Sequence, residues 1–250
     1  TVDLSSTTGI TNTTLAASGT AGTGVLNLTG LAAAHKISTT DQGTNDYDGT
    51  LNLTLASATG TSDSVTIDLK NDSSSDNFAL TSTGIETLNI SSAAAVAAHG
   101  IDVSGVDASK IVLTGGEAAV SLTLNQGSNK LNKAVTEVDA SAFAGNVVAD
   151  ASATNSVGVD FKLGDLVITT TTGDAITGSA STTTDDSLTG NFAASDTTAE
   201  FTQFSGIETY NLTFANGVAI TAAANDGIGD GDNTVETVTM SGGNSLTKYT

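Results

Sequence analysis

Apolar and polar residues alternate along most of this chain. Residues 50–57 read TLNLTLAS, which places Leu51, Leu53 and Leu55 on one face and Asn52 and Thr54 on the other. The same period of two returns at Val65, Ile67 and Leu69, at Val120, Leu122 and Leu124, and at Tyr210, Leu212 and Phe214. Residues 237–241 (TVTMS) repeat it once more. Such a period marks a half-buried strand, because successive Cβ atoms leave the backbone on opposite sides. Between the runs lie clusters of Gly, Asn, Asp and Ser at 58–63, 71–77 and 225–233, residue types that favour turns. Short strands separated by such breaks predict an all-β fold.

One stretch reads otherwise. Residues 91–100 (SSAAAVAAHG) offer a serine N-cap, an alanine body and Gly100 as a stop, so a helix of about two turns is expected there. A related stretch at 31–36 (LAAAHK) also sets a histidine after three alanines.

The chain also echoes itself. The tetrad apolar–Asn–apolar–Ser/Thr occurs at 26–29, 51–54, 88–91 and 210–213. A longer match joins 82–91 (STGIETLNIS) with 205–213 (SGIETYNLT), and each copy follows an Asp-rich stretch containing phenylalanine. Residues 235–237 (VET) and 134–142 (AVTEVDASA) are looser relatives. Repetition on this scale predicts a one-dimensional stack in which each unit covers its neighbour's apolar face. The expected architecture is a parallel β-helix or β-solenoid, with tandem β-sandwich domains as the alternative. Two repeat arrays are expected, 1–125 and 126–250, or one continuous solenoid.

Composition narrows the function. The chain has 250 residues, 27 acidic side chains against 7 lysines and no arginine, and a formal charge of −20. Nucleic-acid binding is excluded as a reading, since phosphate neutralisation needs clustered Lys and Arg. Without cysteine there is neither a disulfide framework nor a thiolate metal site. No run of about 18 apolar residues exists to span a bilayer as a helix. A hydrophobic fraction of 38% is too high for an acidic disordered tail, while few aromatics leave the core to small aliphatic residues and Thr. The chain starts at Thr1 with no signal-peptide pattern, and reads as a mature form or as part of a longer one.

The repeats GIETLNI at 84–90, VDASAFAG at 138–145, SGVDASKIVLTGG at 104–116 and the degenerate stretch 173–190 resemble bacterial surface-layer proteins of the calcium-dependent, RTX-related kind. The resemblance covers the chain from about Leu51 onward, and 1–48 more weakly. It implies a secreted, cell-surface β-solenoid that binds Ca²⁺ and assembles into a two-dimensional coat. The expected partners are further copies of the chain and cell-surface polysaccharide. The chain departs from the family in lacking regular glycine–aspartate nonapeptides; the nearest piece is 225–233 (NDGIGDGDN).

Calcium takes six to eight hard oxygen ligands. Asp226, Asp230 and Asp232 alternate with glycines whose backbones can curl to bring oxygens together. Asp41, Asp46 and Asp48, with Asn45, have the same character, and Asp72 with Asp76 and the pair Asp185–Asp186 are lesser candidates. Asp, Asn and Gly are also the ordinary residues of solvated turns, so each loop has a plain reading beside the calcium one.

Parts for catalysis are scarce. His35 and His99 stand apart from one another, and read as satisfied or surface histidines. No Gly-x-Ser-x-Gly elbow is present, and without Trp the usual platforms for sugar rings are missing. Glu86 and Glu208 hold matched repeat positions, which predicts a structural turn-side hydrogen bond to the next coil. Asn27, Asn52, Asn89 and Asn211 lie in Asn-x-Ser/Thr sequons, which the repeated tetrad generates by itself. Stacked on neighbouring coils, such asparagines would form an amide ladder. The expected function is therefore a non-enzymatic, secreted protein that self-assembles as a coat or filament. An adhesin or phage-fibre segment is the second reading, and a glycan-degrading β-helix enzyme the third.

Overall fold

The computed structural model describes residues 1–15, 24–39, 49–70, 77–93, 99–116, 121–125, 129–152, 158–165, 174–178, 186–192, 204–214 and 237–242. These residues form nineteen strands and no helix. In chain order the first six are β1 (Val2–Asp3), β2 (Asn12–Leu15), β3 (Val25–Leu31), β4 (His35–Thr39), β5 (Thr50–Leu55) and β6 (Ser64–Leu69). Next come β7 (Asn77–Thr83), β8 (Thr87–Ser92), β9 (His99–Val106), β10 (Lys110–Gly115), β11 (Ser121–Thr123) and β12 (Glu137–Phe143). Then follow β13 (Asn146–Asp150), β14 (Asp160–Asp165), β15 (Ala175–Thr177) and β16 (Ser187–Phe192). The last three are β17 (Phe204–Ser205), β18 (Thr209–Phe214) and β19 (Thr237–Gly242).

Odd-numbered strands from β1 to β17 form one sheet, and the even-numbered strands with β19 form the other. Every strand pairs in parallel with the strand one coil away. The chain thus winds from one sheet to the other and back, advancing one rung every 22 to 30 residues. This is the parallel β-solenoid expected from the repeats. A sandwich of hairpins is ruled out, because its neighbouring strands would run antiparallel. Across the 125/126 division, β10 pairs with β12 and β11 with β13.

Alternation is so legible because each sheet has one face in the core and one in water. Inward residues stack in rows along the axis. One row runs Val65, Leu88, Ile111, Val138, Phe161, Leu188 and Tyr210, and each of these is at most 2% exposed. Another runs Ile37, Ile67, Ile90 and Leu113. Outward positions hold mostly Ser, Thr, Asn and charged residues, with Val112 on β10 an exception.

The helix expected at 91–100 is corrected at both ends. Ser91 and Ser92 complete β8, in register with Thr114 and Gly115, and His99 and Gly100 open β9; residues 94–98 lie outside the described residues. The would-be cap and stop are claimed by neighbouring rungs, whose backbone hydrogen bonds outweigh the weak propensity of a short alanine run. At 31–36, Leu31 ends β3 and His35 and Lys36 begin β4. Ala34 makes that tight turn with φ of 60°.

Candidate functional site

All six residues expected to bind calcium, Asp41, Asp46, Asp48, Asp226, Asp230 and Asp232, lie outside the described residues, as do Asn45, Asp72, Asp76 and Asp185. Of the lesser candidates only Asp186 is described. It is fully buried, and its place shows what the repeated motif is built to do.

At the corner before β8 and again before β18, Gly-Ile-Glu-Thr is used in the same way. Gly84 and Gly206 turn the chain with φ of 73° and 65°, a region where a Cβ is strained. Ile85 and Ile207 then point into the core and are buried. Oε2 of Glu86 accepts a 2.7 Å hydrogen bond from the backbone N–H of Asp63. Oε2 of Glu208 accepts one of the same length from the N–H of Asp186. The partner in both cases is on the preceding coil, the reverse of the expected direction, while the structural role stands. The aspartates are spent likewise: the N–H of Val159 donates to Asp186 Oδ1 at 2.6 Å, and the N–H of Gly60 donates to Asp63 Oδ2 at 3.3 Å. Backbone bonds complete the stitch, since the carbonyl of Asp63 accepts from Glu86 and Thr87, and that of Asp186 from Glu208 and Thr209.

At the second corner the Glu208 and Asp186 carboxylates take up buried backbone N–H groups, so their loss has a defined cost. Replacing Glu208, 8% exposed, with leucine strands the N–H of Asp186 away from water. The expected loss is about 1–3 kcal/mol in a denaturant titration. Glu208→Gln keeps an oxygen acceptor and is expected to lose less. Equal losses for the two variants would show that packing, not the hydrogen bond, holds the corner.

A second motif is as local. In apolar-Asp-x-Ser, Oδ1 of the aspartate accepts the N–H two residues on, forming an Asx turn. Asp3 with Ser5, Asp102 with Ser104, Asp139 with Ser141 and Asp150 with Ser152 all do this, at 2.8–3.2 Å. The VDASAFAG segment that carries part of the surface-layer resemblance is therefore, in its Asp139 and Ser141, turn chemistry.

Ladders of like or opposite side chains cross the rungs. Asn52 Nδ2 donates to Asn27 Oδ1 at 2.8 Å, and Thr81 Oγ1 continues the line by donating to Asn52 Oδ1. This is the expected amide ladder, confined to the first sheet. Asn89 and Asn211 sit in the second sheet, where register sets Asn89 between Thr66 and Val112, and Asn211 between Thr189 and Thr239. On that sheet's outer face, Lys110 and Lys162 both reach Oε1 of Glu137, at 2.9 and 2.8 Å. The pair of lysines holds the Glu137 carboxyl below its ordinary pKa, Lys162 first. Asp68 binds Lys36 at 2.6 Å and also Lys70. Burial alone would raise its pKa, but the two ammonium groups together hold it down. These clusters engage four of the chain's 7 lysines.

Both histidines are in the core rows. His35 stacks in register with Val65 and meets Thr13 Oγ1 through Nε2 at 2.9 Å. His99 stacks with Leu122. Burial pushes the His35 imidazole below its ordinary pKa, against an opposing backbone hydrogen bond at Ile10. Neither histidine is a surface residue, since both are at most 3% exposed.

No protein-family model matches the chain, and neither a curated protein nor a solved structure is significantly similar to it. Among the described residues, no helix is long and apolar enough to cross a membrane.

Proposed function

We propose that this is a secreted, non-catalytic structural protein that self-assembles into a surface layer or extracellular filament, with Ca²⁺ neutralising its acidic loops. The observation that carries this reading is the use made of the repeated motif. Glu86 and Glu208, the glutamates an active site would have to draw on twice, are spent on stitching one coil to another. Such a stack is a stiff scaffold, and its two ends differ, so end-to-end contacts between copies propagate without closing.

Charge supplies the case for calcium. The chain carries −20, and the lysine clusters on the second sheet offset little of it. Like charges at 4 Å repel by about 4 kcal/mol at an effective dielectric near 20. Salt weakens that repulsion without reversing it, whereas a divalent ion bridging two carboxylates replaces it with attraction. The acidic segments with Asp41, Asp46 and Asp48 and with Asp226, Asp230 and Asp232, by their residue types, would supply the oxygen chemistry for this role.

Electron microscopy of the purified chain at constant ionic strength is the test. With millimolar Ca²⁺, ordered sheets or filaments are expected, and addition of EGTA should disperse them. Dispersed single particles in both conditions would overturn the reading. Assemblies that ignore EGTA would keep self-assembly and remove calcium from it.

A further inference from the structure

Among the described residues, the first coil of the solenoid has a neighbouring rung on one side only. β1 stands at the edge of one sheet and β2 at the edge of the other. β1 meets β3 through Val2 and Asp3, and β2 meets β4 through Asn12 to Leu15. β1 is exposed along its length, and in β2 Leu15 alone is buried. Val2 and Ile10 stay 45% and 41% exposed. Docking this coil removes little apolar surface from water, so it belongs to the low-stability end of the fold.

A buried polar contact ties the coil down. His35 opens β4, is fully buried, and reaches back through Nε2 to Thr13 Oγ1 of β2 at 2.9 Å. Beside it the backbone N–H of Lys36 donates to the carbonyl of Thr11. On its other side His35 stands in register with Val65 of β6. The charged groups around this place are committed elsewhere. Residues 4–15, β3 and β5 carry no titratable side chain. Lys36, the outward neighbour on β4, is paired with Asp68 of β6, which also binds Lys70. At the corner before β6, Asp63 accepts the N–H of Gly60, and Glu86 accepts the N–H of Asp63. Asp3 of β1 accepts the N–H of Ser5. Asp41, Asp46 and Asp48, farther along the chain, lie outside the described residues.

A neutral imidazole suits this place and an imidazolium does not. Charging a ring sealed from water, with no carboxylate set against it, is costly. Burial accordingly lowers the His35 pKa, with a backbone hydrogen bond at Ile10 opposing it. Lifting the first coil opens one side of the ring to water, where it takes a proton at an ordinary pKa of about 6.5. The docked state therefore binds fewer protons than the lifted one at mildly acidic pH. Its stability is complete above the ordinary value and falls as the pH drops from there toward the lower pKa of the docked ring.

We propose that His35 makes the first coil an acid-operated cap, docked on β3 and β4 at neutral pH and released in mild acid by protonation of the ring. Release uncovers the backbone edge of β4 and one side of the core row at Ile37, which leaves a bare parallel edge open to pairing. Asp68 is not the trigger, since its two lysines hold its carboxyl below the ordinary range and keep it charged through mild acid. The device needs one copy of the chain and no metal, so it does not depend on the function proposed above.

Hydrogen–deuterium exchange of the whole chain, read by mass spectrometry and corrected for the intrinsic pH dependence of exchange, tests it. Between about pH 6.5 and about pH 5, the amides of Asn12–Leu15 and His35–Thr39 should lose protection by up to tenfold per pH unit, the slope for one proton. Those of Lys110–Gly115, inside the stack, should keep theirs. His35→Leu and His35→Gln remove the titrating ring, so protection of both strands should no longer depend on pH over that range, whatever its level at neutral pH. Proton NMR of the parent chain gives a reading that needs no variant. The His35 ring, identified by its nuclear Overhauser contacts to Val65, should titrate below about pH 6.5. A ring that titrates at or above that value overturns the proposal, as does protection at His35–Thr39 that stays constant across the range. A loss that survives both substitutions, or one equally large at Lys110–Gly115, overturns it as well, because another group or the whole stack would then be responding.

Discussion

Gly115→Ala is expected to destabilise the solenoid far more than Gly9→Ala, although both glycines have nearly the same backbone conformation. Their φ values are 78° and 80°, in the left-handed region where any Cβ costs about 1–2 kcal/mol. At Gly9 nothing lies within 4 Å of the added methyl, so that cost is the whole of it. At Gly115 the methyl would be placed 2.1 Å from the carbonyl oxygen of Ser92. That oxygen accepts the N–H of Gly116, and the carbonyl of Gly115 accepts the N–H of Ala144. Relieving the clash therefore disturbs hydrogen bonds to the rungs on both sides, and backbone is less able to yield than a side chain. Overpacking of this kind adds about 1–3 kcal/mol. Chemical denaturation of the two variants beside the parent chain measures the difference. Equal losses would mean that the rungs are not held as closely as the ladder from β8 to β12 requires.

Phe161→Ala should cost about 3–5 kcal/mol, the range for deleting a buried aromatic ring. Phe161 is fully buried on β14, between Val138 of β12 and Leu188 of β16. In a globular core the surroundings could shift from several directions to fill the gap. Here the neighbours along the axis are pinned by their own ladders, so collapse is restricted and the upper part of the range is expected. Because each rung touches only its neighbours, the loss is local to the middle of the stack. The expected consequence is a broadened or two-step unfolding curve, as the rungs on either side uncouple. Phe161→Leu, which keeps most of the volume, should recover most of the stability and a single transition. A cooperative transition in Phe161→Ala with a loss below about 1 kcal/mol would place the ring outside the core.

Strand positions were readable because burial is one-sided. Each outward residue of β5 and β18 is at least partly open to water and each inward residue is buried, so hydropathy alternates without exception in TLNLTL and TYNLTF. The matched glutamates were readable for a related reason. A repeat that keeps Gly, Ile, Glu and Thr together reports one turn made twice, and Glu86 and Glu208 do share one partner geometry. Direction was not readable, since nothing local says whether a carboxylate reaches back or forward by one coil. The Asp-x-Ser turns at Asp102 and Asp150 carried a signal that could have been found, because Asp and Ser two apart are a known local hydrogen-bonding pair.

Other features depended on which residues the coils set side by side. All four repeat asparagines share one tetrad, yet only Asn27 and Asn52 meet, because Asn89 on β8 and Asn211 on β18 belong to the other sheet. The same offsets decide that Glu137 lies between Lys110 and Lys162. The ends of the alanine run at 91–100 became strand because neighbouring rungs offered hydrogen bonds in register. Pattern along one strand is a local property, so the amino-acid order alone was enough to establish an all-β stack, while the core proved to take in Phe78, Phe161 and Tyr210 beside the aliphatic residues expected to fill it. Contacts between coils depend on the summed length of every intervening turn, and hydropathy does not encode that length. Ion ladders, the extent of the amide ladder and the inward place of both histidines were therefore settled only when the coils were laid on one another.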